Sequence, residues 1–122
     1  MGKKIILAID DAAINLMAIK EILKNEYDVR VAKSGELALF ILGSVPVDLL
    51  LIDIDLQGMS GFDFLKTVRE LPLDKEIPAI FVTAHSTQDF FLKATLMGAI
   101  DYIVKPLNRE TLLKKVNQAL SV

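Results

Sequence analysis

Apolar and polar positions along this chain fall into an alternation of short apolar runs and stretches of helical periodicity. Residues 4–9 contain the unbroken run Ile5-Ile6-Leu7-Ala8-Ile9, which has the length of a buried strand. Residues 12–24 space Leu16, Ile19 and Leu23 three and four apart, predicting a helix with one apolar stripe. Residues 27–32 alternate apolar and polar, as a half-buried edge strand does. Ser34 stands as an N-cap to a helix carrying Leu37, Ala38, Phe40 and Ile41, and Gly43 ends it. After Pro46 comes the strand Leu49–Ile52, and a loop through Gly58 and Gly61 leads to a helix over 62–70. Beyond Pro72 and Pro78 the pattern predicts a strand at 79–82 and a helix at 86–97, stopped by Gly98. A strand at 100–104 and a last amphipathic helix at 107–120 complete the series.

Strands that alternate with helices, most of them apolar throughout, predict a parallel sheet covered on both faces. Right-handed crossovers then favour the flavodoxin-like (βα)5 three-layer sandwich, five strands in the order 2-1-3-4-5. At 122 residues and 52% hydrophobic, the chain is expected to form a single domain over 1–122. The net charge of −2 gives no basic footprint for nucleic acid, so no direct nucleic-acid contact is expected of this segment. The absence of cysteine excludes a disulfide framework, a thiolate metal site and a cysteine nucleophile. No apolar stretch reaches membrane-spanning length, and the start lacks a secretory signal of adequate length, so a cytoplasmic location is expected.

The chemistry lies at strand ends. Asp10 and Asp11 close the first apolar run, and Asp53 closes Leu49–Ile52. In the 2-1-3-4-5 order these are the strands flanking the switch point, where ligands bind. Three carboxylates brought together there repel unless a cation or proton joins them, which predicts a hard-metal site beside a nucleophilic aspartate. Helix N-capping accounts for one of the paired aspartates, not for both together with Asp53. Thr83 follows the fourth run and Lys105 the fifth, placing a hydroxyl and an ammonium at the same edge. That set suits an incoming phosphoryl group, and Mg²⁺ is the expected cofactor.

Five motifs in order now resemble the receiver domain of two-component response regulators. They are Ile9-Asp10-Asp11, Leu51-Ile52-Asp53 with Met59 and Gly61 beyond it, Val82-Thr83-Ala84, Gly98-Ala99 before Tyr102, and Val104-Lys105-Pro106. The resemblance implies that Asp53 is the phosphoacceptor for a histidine kinase or a histidine phosphotransfer protein. It implies that Asp11 and Asp53 coordinate Mg²⁺ directly, Asp10 through water, and Asp55 through its backbone carbonyl. Lys105 would bridge to the phosphate, Thr83 would move toward it, Tyr102 would swing inward, and a cis bond would precede Pro106. Such a domain takes part in its own phosphorylation and is not a turnover enzyme.

Some positions depart from the family pattern. Gln57 stands where a proline is common, while Gly58 and Gly61 keep the turn chemistry of the loop. Asp55 and His85, each two residues past a site residue, occupy places whose side chains in receivers influence aspartyl-phosphate lifetime. Helix 86–97 is apolar on more than one face, so Phe91, Leu96, Ile100 and Tyr102 are expected to line a partner surface. In receivers the fourth helix, fifth strand and fifth helix form the output or dimer face, which implies an unknown output partner or a phosphorylation-dependent homodimer. Asp53-Ile54-Asp55 also imitates the Asp-x-Asp signature of haloacid-dehalogenase-like phosphatases. There the motif opens the chain, whereas here Asp10 and Asp11 precede it. A receiver-like interaction module that is never phosphorylated is the third reading, and the complete acidic site argues against it.

Overall fold

The structure is a computed structural model that describes residues 2–121. Its elements run β1 (Ile5–Ile9), α1 (Ala13–Leu23), β2 (Asp28–Ala32), α2 (Gly35–Leu42), β3 (Leu49–Ile52), α3 (Gly61–Arg69), β4 (Ala79–Thr83), α4 (Gln88–Leu96), β5 (Asp101–Val104) and α5 (Arg109–Leu120). The strands pair in parallel in the order β2-β1-β3-β4-β5, as the alternation predicts.

The apolar runs are unbroken because both faces of the sheet are buried. Leu7, Ile9, Leu50, Ile52 and Phe81 face one layer, where they join Phe64, Leu65 and Val68 of α3. Ile6, Ala8, Leu49, Leu51, Ile80 and Val82 face the other, against Leu16, Ile19 and Leu23 of α1 and Leu112 and Val116 of α5. Successive residues of one strand therefore serve opposite cores, the period of two that a pleated strand imposes. Among the described residues no helix is long and apolar enough to cross a membrane.

Local signals hold, with differences at α2 and α4. Ser34 caps α2, its Oγ accepting from the Leu37 amide at 3.1 Å, and Ser60 and Asn108 cap α3 and α5 in the same way. The stripe expected of α2 is displaced, since Ala38 and Leu42 are buried while Leu37 and Phe40 face outward. With Leu37, Ala38, Leu39, Phe40, Ile41 and Leu42 all apolar, periodicity cannot say which side is inward. Gly43 ends α2 in the right-handed region, at φ −72°, rather than as a left-handed cap. The Ser44 and Val45 amides continue one more turn onto the Ile41 carbonyl. α4 starts at Gln88, two residues later than expected.

Candidate functional site

The sheet ladder itself brings the site together. The Asp10 amide donates to the Ala32 carbonyl at 3.1 Å, and the Asp53 amide to the Ile9 carbonyl at 2.9 Å. Each aspartate is thus held one step past its strand by the neighbouring strand. On the other side of β3, the Lys105 amide donates to the Thr83 carbonyl at 2.8 Å. Four strands in fixed register therefore deliver their terminal residues to one cleft at the switch point.

Asp10 and Asp53 are buried and Asp11 is exposed. One carboxylate oxygen from each lies within 4.8 Å of the others. Lys105 Nζ donates to Asp10 Oδ2 at 2.6 Å and to Asp53 Oδ2 at 3.0 Å. Asp10 has further partners: its Oδ1 accepts from the Ala12 amide at 2.9 Å and its Oδ2 from Asn15 Nδ2 at 3.1 Å. Asp53 Oδ1 accepts from the Asp55 amide at 3.3 Å. Asn15 belongs to this shell although sequence reasoning passed over it; a polar residue on the first turn of the helix that follows Asp10 was its only signal.

Burial raises the pKa of the Asp53 carboxyl, and although Lys105 opposes this, the nearby Asp10 charge adds to it. Burial alone would lower the Lys105 pKa, but its hydrogen bonds to Asp10 and Asp53 outweigh that and raise it. The rise favours the charge on Lys105 and disfavours that on Asp53, because one ammonium draws on two carboxylates while Asp53 receives a share of one ammonium. One positive charge facing three carboxylates leaves the cleft short of cation. The donors are all hard oxygens clustered at ligand-to-ligand spacing, so the residues fit a magnesium ion.

Gly61 closes the floor of the cleft. Its amide donates to the Ile54 carbonyl at 2.8 Å, and a Cβ there would sit 2.1 Å from the Asp53 carbonyl oxygen. Only glycine lets α3 begin this close to β3. Gly58, in the same loop, has φ +81°, again a glycine conformation.

Thr83 is buried, and its Oγ1 accepts from the His85 amide at 3.4 Å. The Asp55 carboxylate is not one of the three in the cluster and meets His85, Nε2 to Oδ2 at 2.7 Å. The carboxylates that join Asp53 therefore come from the end of β1 and not from Asp55. Tyr102 is half-buried, its hydroxyl donates to the His85 carbonyl at 2.8 Å, and its ring stacks on Phe91 at 5.6 Å. Phe91, Leu96 and Ile100 are 52%, 78% and 52% exposed, so α4 does not bury a wide stripe. The Lys105–Pro106 bond is cis.

A buried acidic cleft with a bridging lysine, at the switch point of a flavodoxin-like sheet, fits the phosphoacceptor site of a signalling receiver. Comparison with known proteins agrees. The family model for the response regulator receiver domain matches residues 6–117. The chemotaxis protein CheY of Pseudomonas aeruginosa is 32% identical over 115 residues, covering 93% of this chain and 93% of that protein. The structure of Vibrio cholerae CheY4 superposes with a TM-score of 0.91 at 29% identity, covering 98% of this chain and 100% of that one. A probable cyclic di-GMP phosphodiesterase of Vibrio cholerae is 34% identical over 94% of this chain, which spans 26% of that protein. The chain spans about a quarter of the length of several such curated relatives. It belongs to the response regulator receiver domain family. Receivers are signalling domains rather than turnover enzymes.

Proposed function

We propose that the chain is the phosphoacceptor switch of a phosphorelay, with Asp53 as acceptor. The observation that carries this is the single ammonium of Lys105 shared between Asp10 and Asp53, with Asp11 completing the cluster. Asp10, Asp11, Asp53 and the Asp55 carbonyl would hold Mg²⁺, which would supply charge neutralisation for phosphoryl oxygens. The phosphoryl donor is a phosphohistidine on a sensor kinase or a histidine phosphotransfer protein. A carboxylate oxygen of Asp53 attacks phosphorus, the P–N bond breaks as the P–O bond forms, and the imidazole leaves with its carrier. Lys105 holds Asp53 in place before transfer and pairs with the phosphoryl oxygens after it.

The new charge then sits beside Thr83, and its buried hydroxyl moves toward a phosphoryl oxygen. The loop after β4 follows, since the His85 amide is bonded to Thr83 Oγ1. Tyr102 turns inward behind it, leaving the His85 carbonyl and the Phe91 ring, and the population of the α4-β5-α5 face shifts. Phe91, Leu96, Ile100 and Tyr102 form the surface that an output partner or a second copy of the chain reads. Asp55 and His85 set how long the phosphoryl group lasts. The reading places the chain in the cytoplasm. Labelling with acetyl phosphate and Mg²⁺ tests the acceptor: wild type forms an acyl phosphate and Asp53→Asn does not. An acyl phosphate that does not depend on Asp53, or none at all, overturns the reading.

A further inference from the structure

His85 is held from three directions. Asp55 takes its Nε2 at 2.7 Å, the Tyr102 hydroxyl takes its carbonyl at 2.8 Å, and its ring lies on Phe90 with centroids 3.9 Å apart and planes 15° from parallel. Phe90 is itself wedged by a second stack, on Phe62 of α3, at 6.2 Å and 15°. Lys93 Nζ sits 4.6 Å above the other partner, the Phe62 ring. Both ends of the Asp55–His85 bridge hang from the site. The Asp55 amide touches Asp53 Oδ1 and the His85 amide touches Thr83 Oγ1. Because β3 and β4 are neighbours in the sheet, the bridge spans the gap between their two loops beside the Asp53 carboxylate.

A short bond between two solvent-reaching side chains holds little by itself, because each loses rotamer freedom and water competes for both. The ring beneath the imidazole changes this, since a stacked aromatic contact fixes the orientation in which Nε2 faces Asp55. We propose that Phe90 is a positioning residue for the phosphoryl site: it holds His85 across Asp55, and the closed bridge limits the approach of water to a phosphoryl group on Asp53. This rests on Asp53 being the acceptor. The step governed is hydrolysis: water oxygen bonds to phosphorus, the bond from phosphorus to the Asp53 oxygen breaks, and carboxylate and dihydrogen phosphate are released. Phe90 lies on α4 next to Phe91 of the partner surface, so the packing of that helix and the lifetime of the signal are joined through one ring.

The test is the decay of acyl phosphate after removal of excess acetyl phosphate, followed in the full chain with Mg²⁺. Phe90→Leu is expected to speed decay about fivefold, the scale of one lost aromatic stack. Phe90→Tyr, which keeps a ring beneath the imidazole, retains the wild-type rate. His85→Ala accelerates decay to the same extent, and adding Phe90→Leu to it changes nothing further. Unchanged or slower decay in Phe90→Leu overturns the proposal, as does an equal acceleration by Phe90→Leu in the His85→Ala background. His85→Ala carries the test alone should Phe90→Leu fail to fold, and a wild-type rate there overturns it. If wild type forms no Asp53-dependent label, the acceptor assignment falls and this proposal with it; label with Phe90-independent decay removes this proposal only.

Discussion

α3 and α4 are both nine residues long and lie on the same side of the sheet, yet they are attached to it very differently. α3 buries Gly61, Phe62, Phe64, Leu65 and Val68, whereas α4 buries Ala94 alone. Phe64 is wholly enclosed, and the first residue of α3 presses against the backbone of Asp53. α4 instead reaches the core through Ala94 and half-buried Phe90, with half-buried Met97 just past its end, and it turns Phe91, Leu92 and Leu96 outward. Elements with few buried apolar contacts are those that move at low free-energy cost. One flank of the acidic cleft is therefore fixed by packing, and the other is held by far fewer buried contacts.

The largest effects should come from the fixed flank. Phe64→Ala removes a fully buried ring and is expected to cost about 3–5 kcal/mol, read by urea denaturation. Gly61→Ala forces a Cβ to within 2.1 Å of the Asp53 carbonyl unless α3 retreats, and overpacking of this kind costs about 1–3 kcal/mol. It also displaces the acceptor, so its acetyl-phosphate labelling should drop while Phe64→Leu keeps it. A Gly61→Ala protein with wild-type stability and labelling would break the contrast between the flanks.

Magnesium comes next. An ion that binds the native acidic cluster and not the unfolded chain stabilises by about 2.7 kcal/mol at a hundredfold excess over its dissociation constant. Melting with Mg²⁺ and after chelation should show this difference in wild type and lose it in Asp11→Asn. A magnesium shift that survives in Asp11→Asn would place the ion elsewhere.

A smaller effect follows from Asp53 itself. Its pKa is raised above the ordinary 3.8, so the native state keeps this proton to higher pH than the unfolded chain does. Ionisation of Asp53 therefore destabilises the fold. That penalty is absent below about pH 3.8 and grows as pH rises through the window up to the raised native value. Asp53→Asn should therefore raise the metal-free Tm at pH 7, read by thermal melting in chelator. The gain should fade as pH falls toward 4. A lower Tm for Asp53→Asn at pH 7 would mean that the Lys105 ion pair outweighs burial and the Asp10 charge.

The strand-end residues of the site are the part most legible in the sequence. Asp10, Asp53, Thr83 and Lys105 were found because each directly follows an apolar run, and a parallel sheet carries strand ends to a common edge. The reach of Gly61 toward Asp53 was hidden: a glycine before a helix reads as turn chemistry, and only the fold shows what its missing Cβ would strike. Asn15 escaped because a polar residue on a helix carries no sign of what it faces. For His85 the chain shows a lone histidine in a loop; its partners Asp55, Phe90 and Tyr102 come from three other elements or loops. The outward face of α4 was legible for the opposite reason, that one helix in a layered domain cannot bury apolar groups all round.

The smallest effect on stability, and the sharpest test of the loose flank, comes from Leu96. At 78% exposure it contributes little to the core, so Leu96→Gln should leave stability within about ±0.5 kcal/mol and leave acetyl-phosphate labelling unchanged. If the α4-β5-α5 face is what the phosphorylated chain presents, the same substitution should weaken association. Sedimentation velocity with and without acetyl phosphate would show a phosphorylation-dependent dimer in wild type that Leu96→Gln loses. A Leu96→Gln protein that is destabilised as strongly as Phe64→Ala would show that α4 is held as firmly as α3. Wild type that dimerises with an undiminished Leu96→Gln counterpart would move the contact to another face, leaving the exposed apolar groups of α4 for an output partner.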